Sequence, residues 1–154
     1  MMDQFLDLSI ELTSFTRFVL QGTGMSDDYL NAALKVVGKP LVDELLATYA
    51  NIVKSSPQSQ TGEVRRQILG DEKFGPIARN LMKMWFIGIW EPLPGPWVER
   101  YGPIDNNSGF MVNGNAYREG LLWLALGANP PGAKAPGYGS WSQPPKFWEP
   151  PDQQ

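Results

Sequence analysis

The chain contains no cysteine and no histidine. Without them it cannot hold zinc in the common nitrogen and sulfur sites, ligate an iron–sulfur cluster, attach a c-type haem or close a disulfide. The same two absences remove the usual general base beside a serine nucleophile and the thiol itself, so acid–base work would fall to carboxylates, lysines and tyrosines. Positive charge is also scarce: 13 Lys plus Arg stand against 16 Asp plus Glu, a net charge of −3. That balance gives no electrostatic footprint for nucleic acid or for an anionic membrane surface. Long apolar runs are missing as well, residues 84–90 and 121–126 being the longest, far short of the roughly 18 residues of a spanning helix. The start, Met1-Met2-Asp3-Gln4, has no basic region and runs directly into an amphipathic pattern. The expectation is that any export signal has been removed or never existed.

What is present is one domain's worth of chain, 154 residues with 42% hydrophobic and 12% aromatic side chains, enough to form a core without staples. Phe5, Leu8, Leu12, Phe15 and Val19 recur at spacings of three and four and predict one helix face, with Gly22 and Gly24 as its stop. Ser26 or Asp27 can cap a second helix carrying Tyr29, Leu30, Ala33, Leu34 and Val37, ended by Gly38. Pro40 suits the first turn of a third, striped by Leu41, Leu45, Tyr49 and Ile52. Residues 55–62 read as a polar loop, 63–69 as a short helix, and Pro76 as the start of a strong one with Ile77, Leu81, Met84 and Trp85. Its predicted end, Met84-Trp85-Phe86-Ile87-Gly88-Ile89-Trp90, is apolar all round and therefore buried on several sides. Nothing in this half alternates with period two, so the fold expected is mainly α, a small antiparallel helical bundle.

Beyond Glu91 the character changes, because 11 of the 14 prolines lie there. One further helix is predicted, over 116–126, between irregular stretches of extended, polyproline-like backbone. The division expected is a helical domain over 1–127 and an extended Pro/Gly/Trp-rich arm over 128–154. The arm keeps Tyr138, Trp141, Phe147 and Trp148 beside seven prolines, and disordered tails are usually poor in aromatics. It therefore reads as a segment docked on a surface.

The polar motifs carry little chemistry. Asp105-Asn106-Asn107-Ser108-Gly109 begins like a calcium loop, but its glycine comes one place early and position twelve is Ala116 where a bidentate Glu is needed, so a turn is the reading. Gly22-Thr23-Gly24 has neither the third glycine nor the preceding strand of a dinucleotide loop. The acid pairs Asp27-Asp28 and Asp71-Glu72 sit where helices begin and read as dipole partners. Asn106-Asn107-Ser108 is a chance glycosylation match. No catalytic, cofactor-binding or metal-ligating residue is assigned. The aromatics are the informative set: Trp85 and Trp123 fall on helices and read as core, whereas Trp90, Trp97, Tyr101, Tyr138, Trp141, Phe147 and Trp148 are the candidates for partner contact.

Four short stretches together resemble a known family. They are Phe5-Leu6-Asp7-Leu8-Ser9 with Leu12-Thr13, then Trp85-Phe86-Ile87-Gly88-Ile89, then Tyr117 with Gly120-Leu121, and last Gly139-Ser140-Trp141 followed by Pro144-Pro145. Over almost its whole length the chain is similar to the small (gamma) subunit of bacterial FAD-dependent sugar and polyol dehydrogenases, among them sorbitol, fructose, glucose and glucoside dehydrogenases. The resemblance implies a non-catalytic, chaperone-like subunit and a partner: a flavoprotein of the glucose-methanol-choline (GMC) type that holds the FAD and oxidises the sugar. In such complexes a cytochrome c subunit often takes the electrons onward, and the assembly is periplasmic or membrane-associated. This sequence departs from the family in lacking a twin-arginine signal and the cysteine that several relatives carry near the position of Asn129-Pro130, so no covalent link to a large subunit is expected. The alternative open at this point is a free-standing module that binds a sugar or peptide beside the proline-rich segment.

Overall fold

In the computed structural model, residues 1–102, 104 and 107–134 are described. The predicted stripes become helices: α1 (Met2–Thr13), α2 (Arg17–Gly22), α3 (Ser26–Val37), α4 (Lys39–Ser55), α5 (Gln60–Val64) continuing into a π-helical turn over Arg65–Leu69, and α6 (Phe74–Ile87). A two-residue strand β1 (Ile89–Trp90), α7 (Gly95–Tyr101), strand β2 (Phe110–Met111), α8 (Ala116–Glu119) and α9 (Leu121–Ala125) complete the described order. The mainly helical bundle expected from the periodicity is what the chain forms. None of the described helices is long and apolar enough to cross a membrane.

α6 is the central element and packs against α1, α3, β1, α8 and α9. Its Trp85 is fully buried, with Phe5 stacked at 6.2 Å and Tyr29 edge-on at 4.9 Å between ring centroids. The indole N–H donates to Ser9 Oγ at 3.0 Å, so the polar edge of the largest core side chain is satisfied inside the core. The start of α6 is fixed by Asp71, whose carboxylate accepts from the backbone N–H groups of Lys73 and Phe74, both at 2.8 Å, as a helix-start acid does. Asp28, in the first turn of α3, accepts from Asn113 Nδ2 at 2.6 Å and ties that helix to the segment before α8.

Several boundaries differ from the periodic reading, each for a local reason. The first stripe is two helices, because Ser14 takes a left-handed conformation (φ 62°) that closes α1 and Thr16 caps α2 through its side chain. Polar residues 60–62 are helical and extend the short helix backwards. α6 ends at Ile87 and not at Trp90: Gly88 sits at φ 74°, and a Cβ there would lie 2.5 Å from the Ala116 Cβ. The chain then turns out into β1, which pairs antiparallel with β2, Ile89 opposite Met111 and Trp90 opposite Phe110. α7 forms in the proline-rich half, where Pro96 occupies its first turn, the one place in a helix where a missing N–H costs nothing. The single late helix is divided at Gly120, where a Cβ would meet Phe86 O at 2.6 Å.

Two asparagine side chains hold the extended stretch after β1. Asn80 is buried on α6 and both donates to Glu91 O (3.0 Å) and accepts from Glu91 N (2.8 Å). Asn107 makes the same pair of bonds with Leu93, at 2.8 and 2.7 Å. Asn107, read from sequence as part of a plain turn, is thus a clamp. Asp105 and Asn106, the other half of that motif, lie outside the described residues.

Candidate interaction surface

Among the described residues the most exposed large apolar side chains belong to the two short helices α2 and α9. Arg17 pins α2 to α1 by pairing with Asp3 at 3.0 Å and Asp7 at 2.5 Å, and Leu20 anchors its inner face in the core. Phe18, two residues before Leu20, is left 86% exposed. α9 repeats the arrangement: Leu121 is fully buried against α6, and Leu124 is 61% exposed. Both line one cavity of about 320 Å³ with Val19, Arg118, Trp123 and Pro130.

The far wall of that cavity is stiff. Trp123 donates its indole N–H to Tyr117 O at 2.7 Å, with the Tyr117 ring edge-on at 5.3 Å. The Tyr117 hydroxyl donates to Pro131 O at 3.3 Å, Ala128 N to Trp123 O at 2.9 Å, and Lys134 pairs with Glu119 at 2.6 Å. Residues 128–134, read as the beginning of the arm, therefore close back onto α8 and α9.

Two other concavities are present. One of about 470 Å³ between α1 and α4 is lined by Asp7, Glu11, Tyr49, Val53, Lys54 and Gln60. There Gln60 Nε2 donates to Glu11 at 2.8 Å and to the Tyr49 hydroxyl at 3.2 Å. Burial, then the Glu11 and Asp7 charges, hold the Tyr49 phenol above its ordinary range. The second, about 260 Å³, lies among Pro40, Leu41, Trp97, Tyr101 and Ile104. Among the described residues no group of three or more His, Cys, Asp or Glu gathers as a metal site. Gly22-Thr23-Gly24 terminates α2: Thr23 Oγ1 donates to Leu20 O at 2.7 Å, accepts from Met25 N at 3.1 Å, and Gly24 takes φ 69°.

Of the aromatics singled out for partner contact, Trp90, Trp97 and Tyr101 are among the described residues. Trp90 is fully buried, and its indole N–H has no hydrogen-bond partner among the described residues. Trp97 is 4% exposed and donates to Lys73 O at 2.8 Å. Both pack in the core in this conformation, β1 and α7 giving them regular elements that proline density had hidden. Tyr101 is half-buried, 5.5 Å from the Trp97 ring, with Arg100 over its face at 5.4 Å. Tyr138, Trp141, Phe147 and Trp148 lie outside the described residues. Trp85 is core as expected, whereas Trp123 is half-buried in the cavity wall. Phe18 and Leu124 went unnoticed in the sequence. The signal for Phe18 was its place off the Phe15 and Val19 stripe, where an aromatic has no core to enter.

Comparison with protein-family models, with curated proteins and with solved structures returns no match for this chain.

Proposed function

We propose that the chain is a non-catalytic small subunit that stabilises an FAD-dependent sugar or polyol dehydrogenase and assists its maturation. The partner is a GMC-type flavoprotein, which holds the FAD and carries the activity. A cytochrome c subunit completes some complexes of this kind, and the assembly acts in the periplasm or at the membrane it faces. The observation that carries the reading is the Phe18 and Leu124 surface, two large apolar side chains exposed on helices whose inner faces are firmly anchored. The two side chains line one concavity, and burying such apolar side chains is favourable in a protein contact. The choice of a flavoprotein as partner rests on the resemblance of the four short sequence stretches to the small-subunit family.

Purification from the native source tests it. A co-eluting flavin-containing protein several times this mass, whose sugar-dependent dye reduction falls when this chain is stripped away and returns when it is added back, is the expected result. A flavoprotein equally stable and active without it would refute the proposal.

A second reading, a free-standing ligand-binding module, is favoured by the cavity of about 470 Å³ and its polar row of Glu11, Tyr49 and Gln60. Hydroxyl donors and acceptors of a sugar would match that row. Titration of the isolated chain with mono- and disaccharides separates the two: saturable binding that Gln60→Ala weakens supports the module.

A further inference from the structure

Asn113 is followed by Gly114, the one Asn-Gly step in the sequence, and the pair lies in the turn between β2 and α8. The Asn113 carboxamide is engaged at both ends. Its Nδ2 donates to Asp28 at 2.6 Å, tying the turn to the start of α3. Its Oδ1 accepts from the backbone N–H groups of Asn115 at 2.8 Å and Ala116 at 3.0 Å. Gly114 is exposed, its N–H has no acceptor among the described residues, and open space lies where a Cβ would stand. Without a Cβ beside it, a backbone nitrogen can come close to a neighbouring carbonyl carbon. Two N–H donors on that carbonyl's oxygen stabilise the negative charge it gains when the carbon is attacked.

We propose that Asn113 is a self-modifying site, at which the chain deamidates without an enzyme and so cuts the tie between α3 and the turn before α8. The Gly114 nitrogen attacks Asn113 Cγ and gives its proton to water. The new N–Cγ bond closes a succinimide ring, and the Cγ–Nδ2 bond breaks as Nδ2 takes up a proton and leaves as ammonia. A water molecule then opens the ring at either carbonyl. Overall an amide and water become a carboxylic acid and ammonia, with nothing oxidised or reduced. One opening gives aspartate. The other gives isoaspartate, which adds a methylene to the backbone between Val112, whose N–H donates to Gly88 O at 3.0 Å, and Ala116, which packs closely on Gly88. In both products the donor that Asp28 accepts from has gone and a second carboxylate has formed beside it, and like charges so placed repel. Loss of ammonia to solvent makes the step one-way, so the untied form accumulates as the chain ages. The inference concerns this chain alone and stands whether or not its partner is a flavoprotein.

Ageing the folded full chain at mildly alkaline pH and mapping its tryptic peptides by mass spectrometry reads the modification. The peptide over 101–118 should gain the mass of an amide turned to an acid, with fragment ions placing the change at Asn113. It should do so about tenfold faster than the peptides holding Asn31, Asn51, Asn80 or Asn129. An Asn113 that stays intact in the folded chain, or that changes no faster than those asparagines, overturns the proposal. The tie itself is read by thermal melts. Asn113→Asp supplies the aspartate product directly, and Asp28→Asn then reports on what faces it. In the parent Asp28→Asn removes a charged acceptor and should lower Tm by roughly 2–5 °C; in Asn113→Asp it removes a like charge and should raise Tm. A shift of the same sign in both backgrounds overturns the claim that deamidation cuts this contact.

Discussion

Removing the Ser9 hydroxyl tests the centre of the core with the loss of one atom. Trp85 is fully buried, and its N–H donates to Ser9 Oγ at 3.0 Å; Ser9 Oγ in turn donates to Phe5 O at 2.7 Å. In Ser9→Ala the Phe5 carbonyl keeps its helical partner, but the indole N–H is left buried with no acceptor. An unsatisfied buried donor costs about 1–3 kcal/mol, and the better helix propensity of alanine returns roughly 0.5 kcal/mol. The net loss expected is about 0.5–2.5 kcal/mol, which for a domain of this size lowers Tm by roughly 1–10 °C. Thermal melts followed by far-UV circular dichroism read the shift, and urea titration checks that the m-value is unchanged. The double-mutant cycle with Trp85→Phe isolates the bond: with no indole N–H to strand, Ser9→Ala should cost nothing in that background. An equal loss in both backgrounds, or none in the parent, would refute the reasoning.

Other perturbations test the same architecture. Leu45→Ala and Leu81→Ala remove side chains that are almost wholly buried and should each destabilise by roughly 2–5 kcal/mol in chemical denaturation; parent-like melts would mean these stripes face solvent. Gly88→Ala combines φ 74° with a Cβ 2.5 Å from that of Ala116 and should cost more than about 1 kcal/mol, whereas Gly62→Ala, with open space around it, should be neutral or stabilising. Tyr29 has a buried hydroxyl without a partner among the described residues, so Tyr29→Phe should stabilise by about 1 kcal/mol at neutral pH. Burial first, then the Asp28 and Glu119 charges, raise the Tyr29 pKa in the folded chain, so the unfolded chain loses this proton first and stability falls as pH rises above about 10. Melts at pH 8, 10 and 11 should show a shallower alkaline loss in Tyr29→Phe, and an unchanged slope would place the titration elsewhere.

How far the sequence could be read follows from how local each signal is. α3, α4 and α6 were legible because their stripes run three turns or more between Gly38, Pro40 and Pro76. The break at Ser14 was not, since the apolar period of Phe15 and Val19 continues across it with neither glycine nor proline to mark it. Gly88 and Gly120 are where tertiary packing decides: each lets the backbone approach a neighbour, Ala116 or the Phe86 carbonyl, that lies far along the chain. The same neighbours turn Trp90 out of α6 into a strand and bury it. Composition suggested that Trp90 and Trp97 were contacts because it registers proline without registering that Pro96 begins a helix. The apolar surface was hidden for the opposite reason, its two halves being about a hundred residues apart in sequence.

Buried and exposed apolar side chains therefore alternate on the same short helices. Leu20 and Leu121 fix α2 and α9 to the core, and neither helix needs Phe18 or Leu124 in order to form. A phenylalanine and a leucine carried from exposure into a contact contribute about 1.5–3 kcal/mol each, in the range that makes a side chain dominate an interface. The isolated chain realises none of that energy while the groove stands open, whatever its internal stability. The pairing of Arg17 with Asp3 and Asp7 ties α2 to α1 and so fixes where Phe18 is held.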